Sequence, residues 1–152
     1  MDALVPSLTP TSSTKANWEH FPHAADLGVR GIGPTIEDAF AQTALALFAA
    51  VTPLADIEQT TLVTIVCDAP DPAVLLVDWL NALIYQASAR HLLFSRFAVR
   101  IEDDELLGEA WGERIDPARH HPAIEPKGAT FTELRVEPMP EGGWLAQCVV
   151  DV

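Results

Sequence analysis

Residues 27–51 read LGVRGIGPTIEDAFAQTALALFAAV, and the spacing of the apolar residues changes part-way through. From 27 to 33 apolar and small residues alternate, as on a strand. Three glycines in this stretch mark close approach of another backbone, or a bend. Thr35 then opens a helix. Thr35 and Asp38 have the spacing of a capping box, with Asp in place of the usual Glu. Ile36, Ala39, Phe40, Leu47, Phe48 and Val51 recur at helical intervals, Glu37 and Gln42 lie off that stripe, and Pro53 stops the helix. Just upstream, WEHF (18–21) is a short strand candidate.

The same alternation of strand and helix continues. TLVTIVCDA (61–69) is β-branched and apolar, the composition of a buried strand. Asp71 can cap a second helix with Pro72 at its first position, running to about His91. Val74, Val77, Leu80, Leu83, Ile84 and Ala87 form its apolar stripe, and Asp78 and Asn81 a polar one. RFAVRI (96–101) puts Phe97, Val99 and Ile101 on one side and Arg96 and Arg100 on the other. EDDE (102–105) turns the chain into LLGEAWGER (106–114), the return strand of a hairpin. DPARHHPAIEPKG (116–128) reads as a loop. ATFTELRVEP (129–138) and WLAQCVVDV (144–152) are two strands joined at PEGG (140–143), a Gly-Gly hairpin signal. The predicted order is β-β-α-β-α-β-β-β-β: two long helices on a mostly antiparallel sheet, an α+β domain.

The 152 residues suit one domain, with a leader at 1–16 rich in Ser, Thr and Pro and a folded part at 17–152. Apolar residues make up 49% of the chain, enough for a core without staples. Two cysteines, Cys67 and Cys148, point to a reducing compartment, and no secretory signal or membrane span is evident, so a cytoplasmic location is expected. With 22 acidic and 9 basic residues the net charge is −13, which disfavours direct nucleic-acid binding and favours basic partners or cations. No exposed heptad or long apolar edge calls for a dimer, so a monomer is expected.

No nucleophile elbow, phosphate loop or dinucleotide fingerprint is present; the glycines of GVRGIG (28–33) have the wrong spacing. His20 and His23, and the adjacent His120 and His121, lack the second pair of ligands that a zinc site needs, and His120-His121 reads as a solvated loop pair. Cys67 and Cys148 read as small core residues. The carboxylates say more. Asp26 follows His23 at the turn between the first two strands, and Asp151 lies beside Val152 and its terminal oxygens. An aspartate ending an apolar strand is costly if buried unpaired, and a hard cation held by Asp26, Asp151 and terminal oxygens would relieve that cost. An all-oxygen donor set favours Ca²⁺ or Mg²⁺.

Five segments in order resemble the archease family: HAADLGVRGIGPTIEDAFAQTALALF (23–48), WLNALIY (79–85), GERIDPARHH (112–121), EPKGAT (125–130) and VVDV (149–152). The resemblance spans nearly all of 18–152. It implies two strand-helix-strand-strand units, one inserted in the other. It further implies a non-catalytic activator of an RtcB-type RNA ligase in tRNA splicing and RNA repair, promoting guanylylation of the ligase and multiple turnover. By the same resemblance a divalent cation, Ca²⁺ or Mg²⁺, sits on Asp26, Asp151 and Val152, and His23 and Lys127 are candidate partner contacts. The chain departs from the family pattern at Ala24, where Thr is usual, and at Phe131 and Thr132, where Tyr and His are. An acidic tip bearing Asp26 and Asp151 could then enter a basic ligase cleft by electrostatic steering. The alternative is a stand-alone hydrolase or transferase acting on phosphoesters through a metal-activated water. A third reading is a chaperone-like adaptor with no metal dependence.

Overall fold

The structure, a computed structural model, describes residues 14–152. The flexible leader expected at 1–16 therefore lies outside the described residues except for its last three positions, where the Thr14 hydroxyl donates to Gly142 O at 2.7 Å. Strands β1 (Asn17–His23) and β2 (Asp26–Gly33) form an antiparallel hairpin, in register from Asn17 opposite Ile32 to His23 opposite Asp26. Helix α1 (Ile36–Ala49) follows. It is capped as the sequence indicates, with the Thr35 hydroxyl accepting from Asp38 N–H at 3.1 Å. The helix ends at Ala49, four residues before Pro53; Val51 N–H and Thr52 N–H both turn back to Phe48 O, and a single 3-10 turn covers Leu54–Asp56.

Four consecutive elements then form one winding unit: β3 (Thr61–Asp68), α2 (Pro72–Arg90), β4 (Leu92–Glu102) and β5 (Glu105–Arg114). Asp71 caps α2 by accepting from Ala73 N–H at 2.9 Å, and His91 closes it in the left-handed region with φ 56°. The three strands make one antiparallel sheet in the order β3-β5-β4. β4 begins four residues earlier than its alternating part, because a bulge at Ser95 separates the fully buried Leu92–Phe94 start from the alternating remainder.

The chain then returns through α3 (Pro117–His120), β6 (Gly128–Ala129), β7 (Arg135–Pro138) and β8 (Trp144–Asp151). The second sheet has the order β1-β2-β8, with β6 and β7 sharing the far edge of β8. Both units have the same winding. In β3-α2-β4-β5 and in β2-α1-β7-β8, the strand that comes last lies in the middle, antiparallel to both neighbours. The first unit is inserted into the second.

Two expectations need correction. Residues 129–138 are not one strand: the chain bends after β6. Thr130 Oγ accepts from Thr132 N–H at 3.1 Å, and Glu133 takes a φ of 54°, so the polar threonines make a local turn that β-propensity alone does not reveal. Residues 116–128 are not a bare loop either. Asp116 caps α3 by accepting from Ala118 N–H at 3.1 Å, and its end supplies β6.

The core lies where α1 meets both sheets and α2. Phe40, Leu47 and Phe48 from α1, Trp79, Leu80 and Leu83 from α2, and Phe94 from β4 are all fully buried. Burial of each Leu or Phe side chain contributes about 2 kcal/mol. The stripe on α2 is wider than its spacing suggests, since Leu75, Leu76 and Trp79 are buried too. The Trp79 indole N–H donates to Phe40 O at 3.2 Å, a direct bond between the helices of the two units.

Candidate functional site: an acidic pole

The β1–β2 hairpin turns on Ala24 and Ala25, and Ala24 has a φ of 52°. This tight turn sets Asp26 as the first residue of β2, directly across from His23. β8 runs antiparallel to β2 with Val150 opposite Leu27, so the end of β8 arrives beside Asp26. Val152 N–H donates to Asp26 Oδ1 at 3.3 Å, joining residues 126 apart in the chain. On the other edge of β8, Gly128 is the register partner of Asp151, and Lys127 N–H donates to Asp151 O at 2.8 Å. All five residues singled out in the sequence, His23, Asp26, Lys127, Asp151 and Val152, therefore lie at one pole of the molecule.

Asp151 and Lys127 are exposed, whereas Asp26, His23 and Val152 are half-buried. Neither aspartate side chain has an ion-pair partner among the described residues. The Nδ1 of His23 is shielded from solvent and has no hydrogen-bond partner. Among the described residues no three side chains of His, Cys, Asp or Glu group together as a metal cage. What the pole offers is two carboxylates and main-chain oxygen.

The remaining candidates are used elsewhere. His20 Nε2 donates to Ala46 O at 2.7 Å, tying β1 to α1. His120 is not a solvated loop residue: it is 2% exposed. Its Nδ1 accepts from Asp116 N–H at 2.9 Å, which leaves the proton on Nε2, and that nitrogen faces Glu113 Oε2 at 3.0 Å. Its neighbour His121 is exposed and ends α3 with φ 49°. Burial, with help from the Asp78 and Asp68 carboxylates, pushes the Cys67 thiol up to about 11; burial pushes Cys148 to about 12, so neither supplies a thiolate near neutral pH.

A cavity of about 520 Å³ opens close to the pole, lined among others by Phe48, Val51, Ile84, Leu92, Ile115 and Ile124. Residues 122–126 form one wall of it and lead straight into Lys127. The sequence gives no sign of this space, because it is assembled from α1, α2, β4 and a segment with no periodicity.

A family model described as the Archease protein family (MTH1598/TM1083) matches residues 18–152. The chain belongs to the archease family. The archease of Pyrococcus furiosus is 39% identical over 139 residues, which are 89% of this chain and 98% of the relative. The archease of Methanopyrus kandleri is 35% identical over 139 residues, 89% of this chain and 99% of that one. The solution structure of Methanobacterium thermoautotrophicum protein 1598 matches with a TM-score of 0.79 at 30% identity, covering 90% of this chain and 99% of that one. The crystal structure of a Thermotoga maritima archease shares the fold, with a TM-score of 0.57 at 17% identity over 87% of this chain and 94% of that one. This chain builds the bend after β6 without the tyrosine and histidine that the resemblance leads one to expect there. Phe131 is 66% exposed, and Thr132 holds the bend through its backbone, its carbonyl accepting from Val149 N–H at 3.0 Å.

Proposed function

We propose that this protein is a non-catalytic activator of an RtcB-type RNA ligase in tRNA splicing and RNA repair, and that it acts through the acidic pole. Membership of the archease family supports the reading, and one observation carries it: the bond from Val152 N–H to Asp26 Oδ1, which sets the ends of β2 and β8 side by side. Two aspartates thus stand at one exposed end of a chain with a net charge of −13. Such an end is drawn into a basic cleft by long-range attraction, and enzymes that bind RNA have basic clefts.

The donors suit a hard cation. Asp26, Asp151 and the main-chain oxygen of Val152 form an all-oxygen set, as Ca²⁺ or Mg²⁺ prefers, with water completing the shell. Bound there, the ion supplies a positive centre for phosphate oxygens. Among the described residues the arginines with a carboxylate partner are Arg30, Arg119 and Arg135, each paired with a glutamate, which leaves the Asp26 and Asp151 carboxylates without an ion pair that would compete with the cation. His23 and Lys127 flank the pole and would meet the partner first.

The test is a ligation time course with RNA in excess over the cognate ligase. Wild-type protein is expected to raise the ligase from about one turnover to many. Asp26→Ala and Asp151→Ala are expected to abolish that gain while circular dichroism and the melting temperature report a folded domain. Normal turnover with both variants would overturn the reading. The same assay without ligase addresses the stand-alone hydrolase, for which cleavage of a phosphoester by the protein and cation alone is the deciding result.

A further inference from the structure

Asn81 lies on the outer face of α2, in the inserted unit, and its side chain reaches across to the other unit. Its Oδ1 accepts from Ala129 N–H at 2.8 Å and its Nδ2 donates to Ala129 O at 3.4 Å. A carboxamide carries the same donor and acceptor pair as a peptide group. Asn81 therefore reads the free edge of Ala129 much as a neighbouring strand would. The opposite edge of the same segment belongs to β8: Lys127 N–H donates to Asp151 O at 2.8 Å, and Thr130 N–H to Val149 O at 3.0 Å. β6 has only two residues, too few to hold a place in a sheet by itself, and it stands between one side chain and the end of β8.

We infer that Asn81 is a positioning residue for the acidic pole: by clamping β6 it fixes the backbone of Asp151, and it touches no ligand itself. The inference rests on the reading of Asp26 and Asp151 as the working pole. It adds a dependence that the two aspartates do not reveal, since the pole then draws its order from the inserted unit as well as from the β2–β8 pairing. Deleting the carboxamide is expected to leave the hydrophobic core intact, because Asn81 is exposed and is not one of the residues that make up that core.

Two measurements on the full chain decide the matter. Amide hydrogen exchange followed by NMR is expected to show Lys127, Ala129 and Thr130 exchanging about tenfold faster in Asn81→Ala. Amides of the β1–β2 hairpin are expected to be unchanged. Asn81→Asp keeps the acceptor for Ala129 N–H and is expected to restore protection at Ala129 in part, a rescue that a general loss of stability would not give. Titration with Ca²⁺ alone is expected to give a several-fold weaker Kd for Asn81→Ala than for wild type, with the melting temperature within a few degrees. Unchanged exchange at Lys127 and Thr130 in Asn81→Ala would overturn the inference, as would an unchanged Kd where wild type binds Ca²⁺. A wild-type protein that binds no Ca²⁺ counts against the cation reading of the pole, and the exchange experiment then decides the role of Asn81 by itself.

Discussion

Ala24 is the residue on which the acidic pole turns. In a two-residue hairpin loop the first position favours a positive φ, and Ala24 accepts one, at 52°, with a Cβ that this region of the map disfavours. The backbone bears this cost to bring His23 and Asp26 face to face. Glycine there removes the clash but loses more freedom on folding, and the two effects partly offset. Ala24→Gly is therefore expected to stabilise the protein by about 0.5–1 kcal/mol, read as a shift of about 2–4 °C in melting temperature. The geometry of the pole is expected to stay as it is. A fall in melting temperature would mean that the turn is not strained. Nothing in the residue type announces this turn: the family resemblance leads one to expect Thr at 24, and neither Ala nor Thr favours the left-handed region.

At the scale of elements, the contact between α1 and β2 sets the spacing of the whole outer unit. A Cβ added to Gly31 would lie 2.2 Å from Ala39 O and 2.3 Å from Thr43 N, so the helix backbone rests directly on the strand. Nothing flexible is available to move aside. Gly31→Ala is expected to cost about 3 kcal/mol, or to prevent folding, as measured by urea denaturation. Full stability in that variant would show that α1 stands further off than the geometry implies. The glycines of 27–33 thus carried a readable message, close approach of a backbone, and both helices with their caps at Thr35 and Asp71 were equally legible. What was not legible has a common cause. The bend at 130–133, the short α3 and the two-residue β6 are each held by side chain-to-backbone bonds from Thr130, Asp116 and Asn81, and no periodic pattern records such bonds. The extra buried residues of α2, Leu75, Leu76 and Trp79, escaped because α2 faces more than one neighbour, whereas a single stripe assumes one.

In the molecule as a whole, the two units are joined at both crossings by one carboxylate. Glu113, at the end of β5, accepts from Arg119 at 2.6 Å, from Glu58 N–H at 2.7 Å and from His120 Nε2 at 3.0 Å. His120 O in turn accepts from the Thr52 hydroxyl at 2.6 Å. Glu58 lies on the way into the inserted unit, and Arg119 and His120 on the way out. Chiefly through the Arg119 hydrogen bond, the Glu113 carboxyl is held down to about 2 from an ordinary value of 4.5. A carboxyl lowered in the folded state adds stability above its unfolded value, and that stability is lost as the pH falls from about 4.5 towards 2. Glu113→Gln is expected to cost about 1 kcal/mol at pH 7, since a pair this near the surface is screened. It is also expected to flatten the acid limb of a stability curve taken by urea titration between pH 5 and 2. An acid limb as steep as that of wild type would remove Glu113 from this role. The carboxylates themselves suggest joining Asp26 with Asp151, and the family pattern strengthens the suggestion, although the two are distant in the chain and nothing local relates them. The winding that unites them has a consequence for biosynthesis. The central strand of the outer sheet, β8, leaves the ribosome after every other element described, whereas residues 61–114 already contain a whole three-stranded sheet with its own helix. The nested half can therefore mature while the enclosing half waits as a lone hairpin and helix. The surface proposed to meet the ligase comes into being only when β8 has emerged and paired with β2, so that a polypeptide extended no further than β7 has nothing with which to engage it.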